Sequence, residues 1–326
     1  MKILVRLPNW LGDMVMAVGF MNKLTELFPG AEISVIAKKG IDSLLPLFPP
    51  LKHQFVFSKG DYKGVRGAWR FGRTIRSADK FDLFFSLPDS FSAGLMGFAT
   101  GARQRVGFKE QGRSLLFTKT FTKPSGLHRV DEYVALLESY TGKEAKGVSV
   151  RLSNPFVKEE YIIVNINSEA SSRRLTINKA VELIAALHAA VNRDIVLVGA
   201  PKEVPFVSAV CDLLPKDRII NKAGATGMSE LIQLLGAASF VLTTDSGPAH
   251  LANALGTPVI VLFGAGNEAN TAPYHKDNCG VIRLGKLSCE PCRKNVCVRY
   301  EVPQCLEQLN SYGIVAALKQ ELDRHG

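Results

Sequence analysis

The chain has 326 residues, 46% of them hydrophobic and 21% charged, with a formal net charge of +10. This length suits two domains of common size, and the apolar share excludes a disordered chain. The basic balance favours acidic partners such as nucleic acid, anionic lipid or a phosphorylated substrate, without choosing among them.

No sequence run is long and apolar enough to span a bilayer. The first apolar run carries Arg6 and meets Pro8 and Asn9, so it does not read as a signal peptide. The expectation is a cytoplasmic protein that touches the inner face of a membrane only peripherally.

In chain order, strands and helices alternate. Ile3 to Leu7 reads as a buried strand, and the helix after it carries Ala17, Phe20, Met21, Leu24, Leu27 and Phe28 at helical spacing. Pro29-Gly30 ends that helix, and Glu32 to Ala37 reads as the next strand, so the sheet is predicted to be parallel. Residues 63–76 form a two-faced helix. Val65, Ala68, Trp69, Gly72 and Ile75 are expected inside, with Lys63, Arg66, Arg70, Arg73 and Arg76 outside. Asp82 to Leu87 is a strand, the stretch around Arg103, Arg105, Lys109 and Arg113 reads as loop, and His128 to Tyr140 is helical.

Gly, Lys, Ser, Asn and Pro dominate residues 141–158, and the domain boundary is placed at 153/154. A second series then runs through strands at Tyr161–Asn167, Asp194–Gly199, Arg218–Ala223, Phe240–Thr244 and Val259–Phe263, separated by helices. Two Rossmann-like halves predict a cleft, with ligands beyond the carboxyl ends of the strands.

Three segments carry candidate chemistry. In Thr243-Thr244-Asp245-Ser246-Gly247-Pro248-Ala249-His250, a strand gives way at once to a helix, whose free N–H groups suit a diphosphate. The competing reading is plain capping by Asp245 or Ser246. In Pro8-Asn9-Trp10-Leu11-Gly12-Asp13, Asp13 is placed to take a proton from an attacking hydroxyl, or else to cap the helix. Ser171-Ser172-Arg173-Arg174 follows a strand, and its two arginines can hold phosphate or stand solvated. Phosphate-loop, dinucleotide and Asp-x-Asp motifs are absent from the sequence, so no metal and no cofactor is expected, and charge neutralisation falls to arginines, histidine and helix ends. Cys289, Cys292, Cys297 and Cys305 follow C-x2-C-x4-C-x7-C, a poor match to zinc spacing, and read as thiols of a surface loop.

At these residues the chain resembles glycosyltransferase family 9, the lipopolysaccharide heptosyltransferases. The resemblance runs through Ile3-Leu4-Val5-Arg6 with Asn9-Trp10-Leu11-Gly12-Asp13, Leu87-Pro88-Asp89-Ser90-Phe91-Ser92 and Arg105-Val106-Gly107-Phe108. It continues through Gly112-Arg113-Ser114-Leu115-Leu116, Asp245 to Ala252 and Ala254-Leu255-Gly256-Thr257-Pro258. The late cysteine pattern is similar to that of heptosyltransferase II members. The resemblance implies a GT-B fold of two Rossmann-like domains facing across a cleft. Residues 1–153 would bind the acceptor and 154–326 the donor, with the last helix open to packing back on the N-terminal domain. It implies inverting transfer of heptose from ADP-heptose to the acidic lipopolysaccharide inner core at the surface of the inner membrane. Asp13 would be the general base. Arg173, Thr226, Asp245, Ser246, Gly247 and His250 would bind the donor, with Arg174 beside them; the basic face of Lys63, Arg66, Arg70, Arg73 and Arg76 is expected to meet the acidic acceptor or else to stand solvated, and Arg113 is expected to join the acceptor side. The family commonly has Lys-Arg-Trp-Pro where this chain has Arg173-Arg174-Leu175-Thr176, and Pro-Thr-Asp where it has Ala265-Gly266-Asn267. Rival readings are a nucleotide-sugar epimerase of the same fold, a family 9 transferase using another sugar nucleotide, and a nucleotide-sugar binder without turnover. A nucleic-acid partner is not expected, because charge alone supports one and no recognition motif is present.

Overall fold

The computed structural model describes residues 1–325. The chain divides into two compact units, Met1–Val150 and Arg151–Gly326. The division falls three residues before the position read from composition, because residues 151 and 152 are already tied into the second unit. Arg151 donates to the Asn253 carbonyl at 2.7 Å and pairs with Asp277, while the Leu152 N–H donates to the Ala254 carbonyl.

In the first unit, strands β1 (Lys2–Arg6), β2 (Glu32–Lys38), β3 (Gln54–Phe57), β4 (Leu83–Ser86), β5 (Gln104–Phe108) and β6 (Lys119–Phe121) form one sheet. The order is β3-β2-β1-β4-β5-β6 and every pairing is parallel. Its helices are α1 (Leu11–Leu27), α2 (Gly64–Ala78), α3 (Phe91–Thr100) and α4 (Arg129–Thr141). The stretch read as loop around residues 103–113 contains β5, whose apolar centre is only Val106-Gly107-Phe108, too short to show alternation.

In the second unit, β7 (Glu159–Asn165), β8 (Asp194–Leu197), β9 (Ile219–Asn221), β10 (Ala238–Thr244), β11 (Val259–Phe263) and β12 (Cys279–Arg283) form the order β12-β11-β10-β7-β8-β9, again all parallel. Helices α5 (Ile177–Ala190), α6 (Val204–Asp212), α7 (Met228–Ala237) and α8 (Gly247–Ala254) connect them. The C-terminal helix, Ser311–His325, adds Ile314, Val315 and Leu318 to this unit's core beside Leu183, Leu187 and Phe240.

Central strands are buried throughout, as expected of parallel strands covered on both faces: β4 and β11 have no exposed residue. Helix boundaries follow local chemistry. Ser90 accepts from the Ala93 N–H to start α3, and Gly101 at φ 68° ends it; Thr176 accepts from the Lys179 N–H to start α5. In each sheet the chain first builds outward on one side and then restarts on the other. The order therefore reverses between β1 and β4 in one unit and between β10 and β7 in the other. Crevices form beyond the carboxyl ends of such strand pairs, and the Asp13 and Asp245 segments follow β1 and β10 there.

Candidate active site

The first-unit site is built on the β1–α1 turn. Arg6, the last residue of β1, is buried with its guanidinium turned back on the chain. It donates to the carbonyls of Leu7 and Ile36 and to Asn9 Oδ1, which fixes the turn. Burial lowers its pKa to about 10. Trp10 occupies the N-cap of α1 without a side-chain capping bond, so Asp13 lies within the first turn and is not the cap. Burial raises the Asp13 pKa; Arg129 and Lys123 oppose that shift, while Glu132 and Asp89 add to it.

These four charged residues form a network around Asp13. Lys123 Nζ lies 2.8 Å from Asp89 Oδ2 and 3.4 Å from Glu132 Oε2, and Arg129 Nη1 lies 3.0 Å from Glu132 Oε2. They come from the loop after β4, the loop after β6 and the start of α4. Tyr133, one residue further on, is buried, and its hydroxyl pKa is raised well above normal by burial and by Asp13. Sequence reading missed Lys123, Arg129 and Glu132, because nothing local marks them; only the sheet order brings them to β1.

Arg113 does not bind an acceptor here. Its side chain is 0% exposed and donates to the Pro88 and Phe108 carbonyls, to Ser86 Oγ and to Asp89 Oδ1. It pins the loop that carries Asp89 through Nη1 and Nη2, and a guanidinium this deeply buried is out of a ligand's reach. Lys63, Arg66 and Arg70 are exposed along α2, and no ion pair or hydrogen bond joins their side chains to the Asp13 network among the described residues. The inner face of α2 is Gly67, Ala68, Phe71, Gly72 and Ile75; Val65 and Trp69, expected inside, are exposed. Gly67 and Gly72 explain the shift of face. A Cβ on Gly67 would lie 2.3 Å from the Tyr62 backbone and one on Gly72 2.5 Å from the Met96 carbonyl, so the helix packs through its small residues.

In the second unit, Arg173 and Asp245 meet. Arg173 Nη1 lies 3.3 Å from Asp245 Oδ2, an ion pair not aligned as a hydrogen bond, so Asp245 Oδ2 and Arg173 Nε have no hydrogen-bond partner. Burial raises the Asp245 pKa, opposed by Arg173 and Arg283. Arg174 diverges from its neighbour: its guanidinium lies 4.9 Å from the Phe206 ring centroid, so the two arginines do not form one phosphate clamp. Ser246 is the N-cap of α8, yet its hydroxyl makes no cap. It accepts from Asn165 Nδ2 at 2.9 Å and donates to the Thr244 carbonyl at 3.1 Å. Pro248 has no N–H and the Ala249 N–H donates to the Ser246 carbonyl at 3.1 Å, so of the first three positions of α8 only Gly247 offers an N–H to an anion among the described residues. Pro248 lies in the first turn, and His250 is buried in α8. Thr226 precedes Gly227, the N-cap of α7, and no hydrogen bond links it to the Arg173–Asp245 pair among the described residues.

Asn165 and Asn167 are further site builders that the sequence did not single out. Asn165 bridges Thr243 and Ser246, and Thr244 Oγ1 donates to the Asn167 carbonyl. Gly266 is required by contact: a Cβ there would stand 2.0 Å from Asp245 Oδ2.

The cysteine loop braces the same site. Ser172 donates through Oγ to the Lys294 carbonyl and through N–H to the Asn295 carbonyl, and the Arg293 N–H donates to the Ala265 carbonyl. Cys289, Cys292, Cys297 and Cys305 are free thiols lining one small cavity with Ser172 and Ala265. Cys305 is not in the surface loop but buried, its pKa pushed up to about 11 by burial. Among the described residues no cluster of three or more His, Cys, Asp or Glu could hold a metal ion, and no helix is long and apolar enough to cross a membrane.

Two doubly wound parallel units, each with candidate site residues at its switch point, define an α/β protein of GT-B type. Residues 68–302 match glycosyltransferase family 9 (heptosyltransferase), and the chain belongs to that family as a glycosyltransferase. It is 28% identical over 315 residues to lipopolysaccharide heptosyltransferase 2 of Salmonella typhimurium, covering 87% of this chain and 88% of that one. It is 27% identical over 286 residues to the lipopolysaccharide core heptosyltransferase OpsX of Haemophilus influenzae, covering 81% and 79%. The solved structure of Escherichia coli ADP-heptose lipopolysaccharide heptosyltransferase II shares the fold with a TM-score of 0.83, 22% identity and 99% coverage of each chain.

Proposed function

We propose that this chain transfers heptose from ADP-heptose to an acidic lipopolysaccharide inner-core acceptor with inversion at the anomeric carbon. Relatives named as heptosyltransferases support the reaction class, and an Escherichia coli heptosyltransferase of similar fold solved with ADP-2-deoxy-2-fluoro heptose supports the donor class. Membership of family 9 speaks against the epimerase reading.

The observation that carries the reading is Asp13: a largely buried carboxyl in the first turn of α1, flanked by Lys123 and Arg129. The acceptor hydroxyl attacks the anomeric carbon as the bond from that carbon to the diphosphate oxygen breaks, and the hydroxyl proton passes to Asp13. A carboxylate whose pKa is raised toward neutral is a better base than an exposed one. Negative charge grows on the leaving diphosphate, and Arg173 with the Gly247 N–H at the start of α8 stabilises it, with Asp245, Ser246 and His250 shaping the pocket. Thr226 is kept as a donor contact on the family resemblance alone. Thermal protection by a nucleotide panel tests the donor assignment: ADP and ADP-heptose should raise the melting temperature more than UDP or GDP, and equal protection by UDP would sink the ADP assignment.

A further inference from the structure

Four free thiols, Cys289, Cys292, Cys297 and Cys305, line one small cavity beside the donor site, and the transfer chemistry uses none of them. We propose that Cys292 and Cys297 form an oxidisable pair whose closure to a disulfide loosens the Arg173–Asp245 site. The donor role of that site rests on the reading above; the closure and its effect on the backbone do not.

The pair brackets a strap. Between the two cysteines, the Arg293 N–H donates to the Ala265 carbonyl at 2.8 Å, the Lys294 carbonyl accepts from Ser172 Oγ at 2.5 Å, and the Asn295 carbonyl accepts from the Ser172 N–H at 3.2 Å. Ser172 precedes Arg173, and Ala265 precedes Gly266, where a Cβ would meet Asp245 Oδ2. Residues 293–295 therefore hold both walls of the Arg173–Asp245 pair. They are exposed, and Arg293 holds φ 55°, in the left-handed region that costs a non-glycine residue energy.

The other two thiols suit the role less well. Cys305 is buried, its pKa pushed up to about 11 mainly by burial, so it stays protonated and unreactive. Glu290, Cys292 and Cys297 add to that shift, so both cysteines of the pair share its end of the cavity. The chain after Cys289 is fixed by Glu290, which accepts from the Gly285 and Leu287 N–H groups and pairs with Arg283. Cys297 also lines the open groove beside Arg174 and Phe206, where an oxidant can reach it.

Glutathione disulfide serves as the oxidant. The Cys297 thiolate attacks one of its sulfurs and releases one glutathione thiolate; the Cys292 thiolate then attacks Cys297 Sγ and releases the second. Two protein thiols are oxidised, one glutathione disulfide is reduced to two glutathiones, and the two thiol protons end on the released thiolates. Where glutathione keeps thiols reduced, such a disulfide is transient and reports oxidation.

The full chain treated with glutathione disulfide or with dithiothreitol is compared by mass spectrometry, hydrogen exchange and ADP titration. The oxidised chain should be lighter by two hydrogens, with one disulfide linking Cys292 to Cys297 and faster exchange at the Ser172 and Arg293 amides. Its ADP affinity should fall by about two- to tenfold for each strap bond broken. Dithiothreitol should reverse all of these. Cys297→Ser should abolish the disulfide and the response to oxidant, whereas Cys211→Ser, in α6 and outside the loop, should keep both. A disulfide between other cysteines, a glutathione adduct that never resolves, a metal ion held by these thiols in the purified protein, or a Cys292–Cys297 disulfide that leaves amide exchange unchanged would overturn the proposal. If the reduced chain fails to bind ADP while the exchange response persists, the donor reading falls and the oxidisable strap stands.

Discussion

Gly266→Ala places a methyl group 2.0 Å from Asp245 Oδ2, well inside any tolerated contact. The backbone there has little freedom to yield. The Gly266 carbonyl accepts from Arg283, and the preceding Ala265 carbonyl accepts from the Arg293 N–H at 2.8 Å. The Asp245 carboxylate is therefore the part that moves, and its 3.3 Å pairing with Arg173 breaks. Overpacking of this kind costs about 1–3 kcal/mol, a lowering of the melting temperature by about 2–12 °C in a unit of this size. If Asp245 orders the donor pocket, ADP affinity falls by about 5–150-fold on the same energy scale. Gly264→Ala is the control. Its methyl would meet Cys305 Sγ at 2.7 Å, a crowded place that does not touch Asp245. Calorimetric titration with ADP alongside thermal melting separates the two effects. Both variants should melt earlier, and only Gly266→Ala should lose ADP affinity. Equal loss of affinity in the two variants, or wild-type affinity in Gly266→Ala, would refute the role given to Asp245.

Arg173→Ala should raise donor KM and lower kcat, whereas Arg174→Ala, whose side chain packs on Phe206, should change stability slightly and donor kinetics little; equal kinetic losses would show that both reach the donor. Arg113→Ala should cost about 1–3 kcal/mol of stability, because buried acceptors such as the Phe108 carbonyl lose a donor while Asp89 keeps Lys123; a variant that folds normally and only raises acceptor KM would restore Arg113 to the acceptor site. Asp13→Asn should lose about 10²–10⁴ in kcat while ADP affinity is kept. Burial raises the Asp13 pKa, so its contribution favours folding below the unfolded carboxyl pKa and is lost as pH rises through the folded value. Asp13→Asn should therefore melt no earlier than wild type at pH 7, and the acid limb of wild-type kcat should lie above the ordinary carboxylate range. An acid limb at or below that range would contradict Asp13 as the titrating base.

Much of the fold was legible because parallel strands announce themselves as short apolar runs. Ile3 to Val5, Leu83 to Phe85 and Val259 to Phe263 could be placed by eye. Of the edge strands only β9 was read; β3 and β6 were not, since they are short and partly polar. The Asp13 and Asp245 segments were visible because each joins a strand end to a helix start. What sequence could not give was direction. Arg173 and Arg174 are neighbours whose side chains part, one to a carboxylate and one to an aromatic ring. Arg113 looked like a ligand residue because arginine in a loop normally faces water; burial among four internal acceptors is a tertiary fact. Trp69 was placed inside α2 on hydrophobicity, whereas two glycines make the true inner face. The Lys123–Glu132–Arg129 cluster depends wholly on sheet order, and no spacing in the sequence encodes it.

The most direct test of the central claim is a transfer assay on the full chain with ADP-heptose and a heptose-deficient inner-core acceptor, followed by mass spectrometry and by NMR of the new linkage. The account predicts ADP release matched one to one by heptosylated acceptor with inverted anomeric configuration, and no such product from Asp13→Asn. Consumption of ADP-heptose without acceptor, retention of configuration, or undiminished product from Asp13→Asn would contradict it.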